Sequence, residues 1–428
     1  MQVWTEFVAR PYQSSRIGAA SLVIIGQENV TAQVEIEKGP AARSGGRIRV
    51  LHIINDLSLG GAETLLFRLT QIPSQVEHKV VSLGPPEWYS KPLEEQGIPV
   101  EYFDIRSPSA MATGIFRLRR LIRQSGADVV QCWLYRSNIV GGLAARMAGV
   151  PVSWSIHCSD LAPLKYSSRA LVYLSALLAP FVPGYIINCS KKSAELHAKL
   201  GYAAAPGAVI HNGYDPGRFY PDAESREAVR KRLGIAAGEF VIGCLARWHP
   251  QKDIPNLLAA LRIVSDRGLQ ARCLLIGNGL DEGNPALMRE IRDSGCEGFV
   301  STLGMRPDVP ELARAMDLHV LASCGAEAFP NAVAETMLSG TPNVVTDVGD
   351  SALIVGDAGW VVPPRSPELL ADAIVAAVQL KGDPEAWEQR RAAARERIAQ
   401  SFTEERMAEA YADVWYRLAA GRAGAATD

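Results

Sequence analysis

The sequence predicts an α/β protein built from two parallel-sheet domains that face a cleft. Three observations carry this. At 428 residues the chain is long for one core and comfortable for two. Apolar runs alternate with helix-period segments, the pattern of parallel strands covered on both faces by helices. A Gly-, Pro- and Asp-rich stretch, VIHNGYDPGRFYPD, then divides the alternation into two series.

The first series opens at Arg47. RIRVLHIINDL reads as a buried strand, SLGG as a tight loop and AETLLFRLT as a helix. The unit recurs in HKVVSLG, in ADVVQCWLY followed by SNIVGGLAARMAG, and in VPVSWSIH. The second series contains EFVIGCLARW before IPNLLAALRIVSD, ARCLLIGNG before NPALMREIRDSG, DLHVLAS before AEAFPNAVAETMLSG, and TPNVVTD. These runs place a first domain at 47–211, a linker at 212–222 and a second domain at 223–400. A terminal helix is expected over 401–420, with Ser401 and Glu404 at capping-box spacing for its start. Residues 1–46 end in GPAARSGGR, which resembles a linker, and form an extension without an assigned role.

Composition removes several function classes. Hydrophobic residues make up 48% and charged residues 21%, too apolar for a disordered chain. A net charge of -2 gives no electrostatic footprint for nucleic acid, which is not expected as a partner. The seven cysteines are scattered, odd in number and never spaced as CxxC, so neither a disulfide framework nor a zinc site is expected. Reduced cysteines and the absence of a basic-then-apolar start favour the cytoplasm over secretion.

Ligands of open α/β sheets sit beyond the carboxyl ends of strands, so the loops there hold the candidates. In AEAFPNAVAETMLSG, Pro330 suits the first turn of a helix and Gly340 its end. Glu327 precedes that helix, and Glu335 lies inside it, roughly 7 Å along the axis. Two carboxylates thus flank a helix N-terminus whose free amides attract an anion. One acid can reach hydroxyls on each side of a bound phosphate, as a nucleotide sugar requires. In CLARWHPQKDIPNLL, Arg247 ends a strand and Lys252 stands before a helix. Two cations there can neutralise a diphosphate leaving group without a metal. Gly60 and Gly61 in LSLGGAETLL let backbone approach a ligand, and His157 ends the strand VSWSIH at the cleft mouth. Singly, each pattern also fits a surface loop or a structural residue; their joint order favours a site.

In that order they resemble the retaining GT-B glycosyltransferases of family 4, from about Arg47 to Leu418. GGAE, VIHNGYD, ARWHPQKD, IGNG, RPDVPELARAMDLHVLAS, EAFPNAVAETMLSGTPNVVTD and SFTEERMAEAYADVWYRLA all fall where that family places its counterparts. The resemblance implies two Rossmann-like domains, with catalysis by His157, Arg247, Lys252 and Glu327. It implies substrate contacts at Gly61, Asn212, Arg306, Phe329, Pro330, Asn331 and Glu335. Arg247 and Lys252 would hold the donor diphosphate, Glu327 and His157 the sugar, Glu335 the ribose and backbone near Arg306 the base. The terminal helix would cross back to the first domain. The implied partners are a nucleoside diphosphate sugar, UDP before GDP, and a saccharide or lipid-linked saccharide acceptor. No cofactor or metal is implied. Two departures stand out: Ala246 replaces a common glycine, and Asp350 stands in VGDSALIVGD where many members have Val-Gly-Gly.

Other readings fit less well. IGNGLDEG is not a GxGxxG dinucleotide fingerprint, and no DxD pair sits in a metal loop. A glycosidase also uses two carboxylates but has no need of surrounding phosphate-binding amides and cations. A nucleotide-sugar 2-epimerase or phosphorylase of the same fold remains an alternative, as does a non-catalytic nucleotide-sugar sensor. Between Arg169 and Asn188 the run ALVYLSALLAPFVPGYII is uncharged, but Pro180, Pro183 and Gly184 interrupt it, so a helix followed by a buried strand is expected rather than a membrane span. With Lys165 and Arg169 at its head, the helix is also a candidate for peripheral membrane contact.

Overall fold

The computed structural model of the protein describes residues 47–105, 107–162 and 165–425; the expected extension at 1–46 lies outside them. In chain order the first half contains β1 (Ile48–Ile54), α1 (Gly61–Gln71), β2 (Val76–Ser82), α2 (Ser90–Glu95), β3 (Val100–Tyr102) and α3 (Pro108–Ser125). There follow β4 (Val129–Trp133), α4 (Tyr135–Ala148), β5 (Val152–Ile156), α5 (Tyr166–Leu178), β6 (Tyr185–Asn188), α6 (Lys191–Lys199) and β7 (Gly207–Val209). All seven strands are parallel and form one sheet in the order β3-β2-β1-β4-β5-β6-β7.

The second half contains α7 (Ala223–Arg232), β8 (Phe240–Leu245), α8 (Ile254–Asp266), β9 (Ala271–Ile276), α9 (Pro285–Asp293), β10 (Val300–Gly304) and α10 (Val309–Ala315). It continues through β11 (Leu318–Leu321), α11 (Asn331–Leu338), β12 (Asn343–Thr346), α12 (Ser351–Val355), β13 (Trp360–Val362), α13 (Pro367–Lys381), α14 (Pro384–Ser401) and α15 (Glu404–Ala425). Its six-stranded parallel sheet runs β10-β9-β8-β11-β12-β13.

The strands form where the sequence is apolar on both faces. Every residue of β4 and β5 is buried, and Leu51, Ile53 and Ile54 of β1 are fully buried. Helices on each side supply the cover. Both sheets reverse direction of growth once, between β1 and β4 and between β8 and β11. The loops at the carboxyl ends of those strands are where ligands of such sheets bind.

The terminal helix packs on the first sheet. Met407, Tyr411, Val414 and Trp415 of α15 share a buried cluster with Val50 and Ile54 of β1 and Trp133 of β4. Trp415 donates from its indole nitrogen to Gln131 Oε1 at 3.0 Å, so its one polar atom is satisfied inside the core. The helix starts later than the sequence suggested. Ser401 ends α14, and Thr403 Oγ1 accepts from Arg406 N at 3.3 Å, which makes Thr403 rather than Ser401 the capping side chain. The run 170–187 divides into the end of α5 and strand β6, and no described helix is long and apolar enough to cross a membrane. All seven cysteines are free.

Candidate active site

The loops after β8 and β11, at the switch point of the second sheet, meet the loop after β5 and bring polar candidates together. The loop after β8 carries Arg247 and Lys252. A tight turn, Pro250–Lys252, followed by Asp253 in the left-handed region (φ 47°), leads into α8. Gly277 (φ 137°) supports this loop, because any side chain there would collide with the Ala246 carbonyl. Ala246 itself has no positive φ, so replacing the common glycine strains nothing.

The loop after β11 carries Glu327. Its carboxylate is buried, accepts from Ser323 Oγ at 2.6 Å and is ion-paired with the Lys252 ammonium. Arg247 is exposed and has no partner among the described residues. Its charge and that of Lys252 both reach His249, which burial first and the two cations second hold below the usual imidazole range. The cations therefore act on one small region.

The helices that begin here, α1, α8 and α11, have no N-cap side-chain bond, a feature shared with α4, α5, α10 and α13 elsewhere in the fold. At α1 the Glu63 carboxylate folds back on its own backbone amide and over Gly60, and in α8 Pro255 has no N–H and Asn256 N donates to the Asp253 carbonyl at 3.0 Å. Among the described residues it is therefore the first-turn amides of α11, at Asn331 and Ala332, that stay unclaimed, as an anion site needs. Gly349 (φ 57°) lets the loop after β12 press on the Glu327 carbonyl, where a side chain would collide.

From the first domain, the loop after β5 reaches the same place. Ser159 Oγ donates to the Glu327 carbonyl, two residues beyond His157. The His157 ring stacks on Trp133 at 5.6 Å, and Trp133 stacks in turn on Tyr411 of α15 at 5.6 Å. His157 Nε2 lies 2.8 Å from Ser155 Oγ, which also lies 3.0 Å from Tyr411 Oη. Burial pushes the His157 imidazole down to about 4, so near neutral pH it is uncharged, with Nδ1 left for a ligand.

Other candidates fall at different distances from this centre. Asn331, the first residue of α11, accepts at Oδ1 from Asn212 Nδ2 at 3.0 Å and from Tyr214 Oη at 2.9 Å, so the linker fixes the start of that helix. Asn212 Oδ1 is buried without a partner among the described residues. Pro330 caps α11 with an extended backbone. The Phe329 ring stacks on His211 at 4.8 Å and is buried, which leaves only its backbone for a ligand. Arg306 spends its guanidinium on a two-pronged pair with Asp308 at 2.7 Å, so there too backbone is what remains. A side chain at Gly61 would meet no protein atom within 4 Å, consistent with open space for a ligand. Glu335 faces the first domain, where its Oε1 accepts from Arg68 at 2.5 Å.

Sequence reasoning missed Arg68 and Ser159 and left Asp350 unassigned. Asp350 is buried and accepts from the backbone amides of Lys191 at 2.7 Å and Lys192 at 3.1 Å, so a second-domain carboxylate caps α6 of the first. Among the described residues no group of His, Cys, Asp and Glu is arranged to hold a metal ion. Concavities of about 490 Å³, beside Arg49 and Asp128, and about 1080 Å³, beside Phe240 and Ala271, open at the other ends of the strands and contain none of the candidates.

Residues 59–218 match the family model described as Glycosyltransferase Family 4, and residues 239–379 match Glycosyl transferases group 1. The chain is 28% identical over 316 residues to the N,N'-diacetylbacillosaminyl-diphospho-undecaprenol alpha-1,3-N-acetylgalactosaminyltransferase of Campylobacter jejuni, covering 69% of this chain and 80% of that one. It is 26% identical over 251 residues to the UDP-Gal:alpha-D-GlcNAc-diphosphoundecaprenol alpha-1,3-galactosyltransferase of Escherichia coli, covering 56% of this chain and 63% of that one. Among solved structures, Anabaena Alr3699/HepE in complex with UDP superposes with a TM-score of 0.76 at 23% identity, over 86% of this chain and 100% of that one. The same protein has also been solved with UDP-glucose.

Proposed function

The chain belongs to glycosyltransferase family 4 and has the GT-B fold, and from that premise we propose that it moves a hexose or N-acetylhexosamine from a nucleoside diphosphate sugar to an acceptor hydroxyl with retention of configuration. The observation that carries this reading is the meeting of Lys252 and Glu327, beside the unpaired Arg247, at the switch point of the second sheet.

Cleaving the sugar–phosphate bond leaves negative charge on the diphosphate. Arg247, Lys252 and the open first-turn amides of α11 neutralise it, the role a divalent ion plays elsewhere. A phosphate oxygen of the departing group takes the proton of the acceptor hydroxyl as that hydroxyl bonds to the anomeric carbon on the same face. No protein nucleophile is needed, and catalysis rests on positioning and charge. Glu327 accepts from sugar hydroxyls, and neutral His157 offers Nδ1 to the transferred sugar. Glu335 keeps one carboxylate oxygen for ribose, and backbone near Arg306 lies against the base.

UDP is favoured over GDP because the neighbouring solved structures hold UDP and UDP-glucose. A lipid-linked saccharide acceptor, in bacterial surface polysaccharide or glycolipid synthesis, is favoured by the undecaprenol-linked acceptors in the names of the relatives. One surface fits such an acceptor. Tyr166, Tyr173, Leu174, Leu177 and Phe181 are exposed along one stripe of α5 and the turn after it, at 90, 57, 42, 70 and 71%. Between Pro108 and Phe181 the chain carries eight Lys and Arg against two Asp, although its net charge is -2. An apolar stripe headed by Lys165 and Arg169 suits the anionic cytoplasmic face of a membrane.

A screen of UDP, GDP and ADP sugars by thermal shift and donor hydrolysis tests the reading. One nucleotide sugar should raise the melting temperature and turn over slowly. Conversion of the donor to an epimer without acceptor would favour an epimerase, and binding without any product a sensor.

A further inference from the structure

We infer that Arg68 is a positioning residue for donor recognition, acting through Glu335 to fix which carboxylate oxygen meets the ribose hydroxyls. The inference rests on the reading of Glu335 as the ribose-binding acid.

Arg68 lies about two turns beyond Gly61 on α1, in the first domain, yet each of its contacts concerns the second domain, the linker or α15. One terminal nitrogen donates to Glu335 Oε1 at 2.5 Å, and the other donates to the Gly213 carbonyl at 3.3 Å. Nε lies 3.7 Å from Glu404 Oε1, and the guanidinium carbon sits 5.3 Å from the centre of the Tyr214 ring. Arg68 is buried, and the side chains of Glu335 and Glu404 are 14 and 17% exposed.

A planar fork held in four directions cannot swing with its partner. It fixes the rotamer of Glu335 and occupies one of its two oxygens. The other oxygen, Oε2, has no partner among the described residues and is left as an oriented acceptor. Tyr214, which stacks under the fork, also donates to Asn331 at 2.9 Å, so the start of α11 and the Glu335 carboxylate are set by one linked group of side chains. A lysine at this position keeps the charge but loses the fork, and with it the geometry. A purely structural role for Arg68, as a clasp between the two halves, is the competing account.

The two accounts separate on the nucleotide, without turnover. Calorimetry compares UDP with 2′,3′-dideoxy-UDP, and GDP with its dideoxy analogue, in wild type, Glu335→Gln, Arg68→Lys and Arg68→Gln, each checked for an intact melting transition. Wild type should prefer the diol about tenfold or more, the scale of one hydrogen bond to a charged group. Glu335→Gln should reduce that preference to within about threefold. Arg68→Lys should do nearly the same while binding the dideoxy nucleotide about as well as wild type. Equal weakening of both nucleotides in Arg68→Lys would make Arg68 a clasp only, and an unchanged preference would remove it from recognition altogether. Wild type that binds UDP without preferring the diol would instead remove the ribose role of Glu335, and this inference with it. Wild type that binds neither UDP nor GDP would overturn the donor reading itself.

Discussion

Lys252 and Glu327 are bound to each other across the switch point of the second sheet, a cation after β8 and a carboxylate after β11, with Ser323 as the second donor to the acid. Under the proposed function, the side chain assigned to phosphate and the one assigned to sugar are already in contact. Glu327 is 8% exposed, and Lys252 and Ser323 pair its buried carboxylate.

The two glutamates should therefore fail differently. Glu327→Ala is expected to lose sugar recognition and turnover while keeping affinity for the sugar-free nucleoside diphosphate. Glu335→Ala should weaken every donor that carries the nucleotide. Calorimetry with the free diphosphate checks the split; equal losses in both variants would contradict it.

Activity should survive exhaustive EDTA treatment, because the proposed mechanism takes its charge compensation from Arg247, Lys252 and the first-turn amides of α11. Loss of turnover on chelation, with rescue by manganese or magnesium, would reveal a metal requirement that these groups do not cover.

The α5 stripe gives a separate outcome. Wild type should float with anionic vesicles at low salt, and Leu177→Glu with Phe181→Glu should stay at the bottom of the gradient, because both side chains are at least 70% exposed. Lys165→Glu with Arg169→Glu should reduce flotation at low salt and matter less at high salt. A wild-type protein that never floats would favour a soluble acceptor.

Much of this was legible in the sequence because it is local. β4 and β5 read as strands from their mostly apolar runs, and every residue in them is buried; Arg247, Lys252 and Glu327 lie in loops after strands, where the runs put them. What escaped is non-local. The partners Arg68 and Glu335 are 267 positions apart, and Asp350 caps α6 from 159 positions away. No periodicity announces such pairs. The resemblance implies a substrate contact at Phe329, whose ring packs against those of His211 and Phe402 in the interior, an arrangement that only the fold shows. The Ser401 cap failed for a simpler reason: α14 runs to that residue, and Thr403 is the first free hydroxyl.

Stability should fall on acidification. Burial holds the His78, His157 and His319 imidazoles at about 4, and His52 well below its usual value. A depressed imidazole contributes stability above its unfolded value near 6.5, and that contribution is lost as pH falls toward 4, because only the unfolded chain takes up the proton. Glu63 and Glu404, raised to about 7 mainly by burial, work in the opposite direction over the same range. His197, His211 and His249 are lowered as well, against a raised Asp253, so the histidines outweigh the carboxyls and urea midpoints should drop between pH 7 and 5. A flat or rising profile would count against the neutral buried histidines.

The most direct test of the central claim is the turnover of Arg247→Ala with the best donor from the screen. Arg247 is exposed and partner-free among the described residues, so its removal should leave the melting temperature unchanged and isolate the chemistry. Turnover should fall by about 10² to 10³, with weaker binding of the free nucleoside diphosphate, as when one preorganised charge-stabilising group is lost. Turnover within about threefold of wild type would contradict the diphosphate clamp.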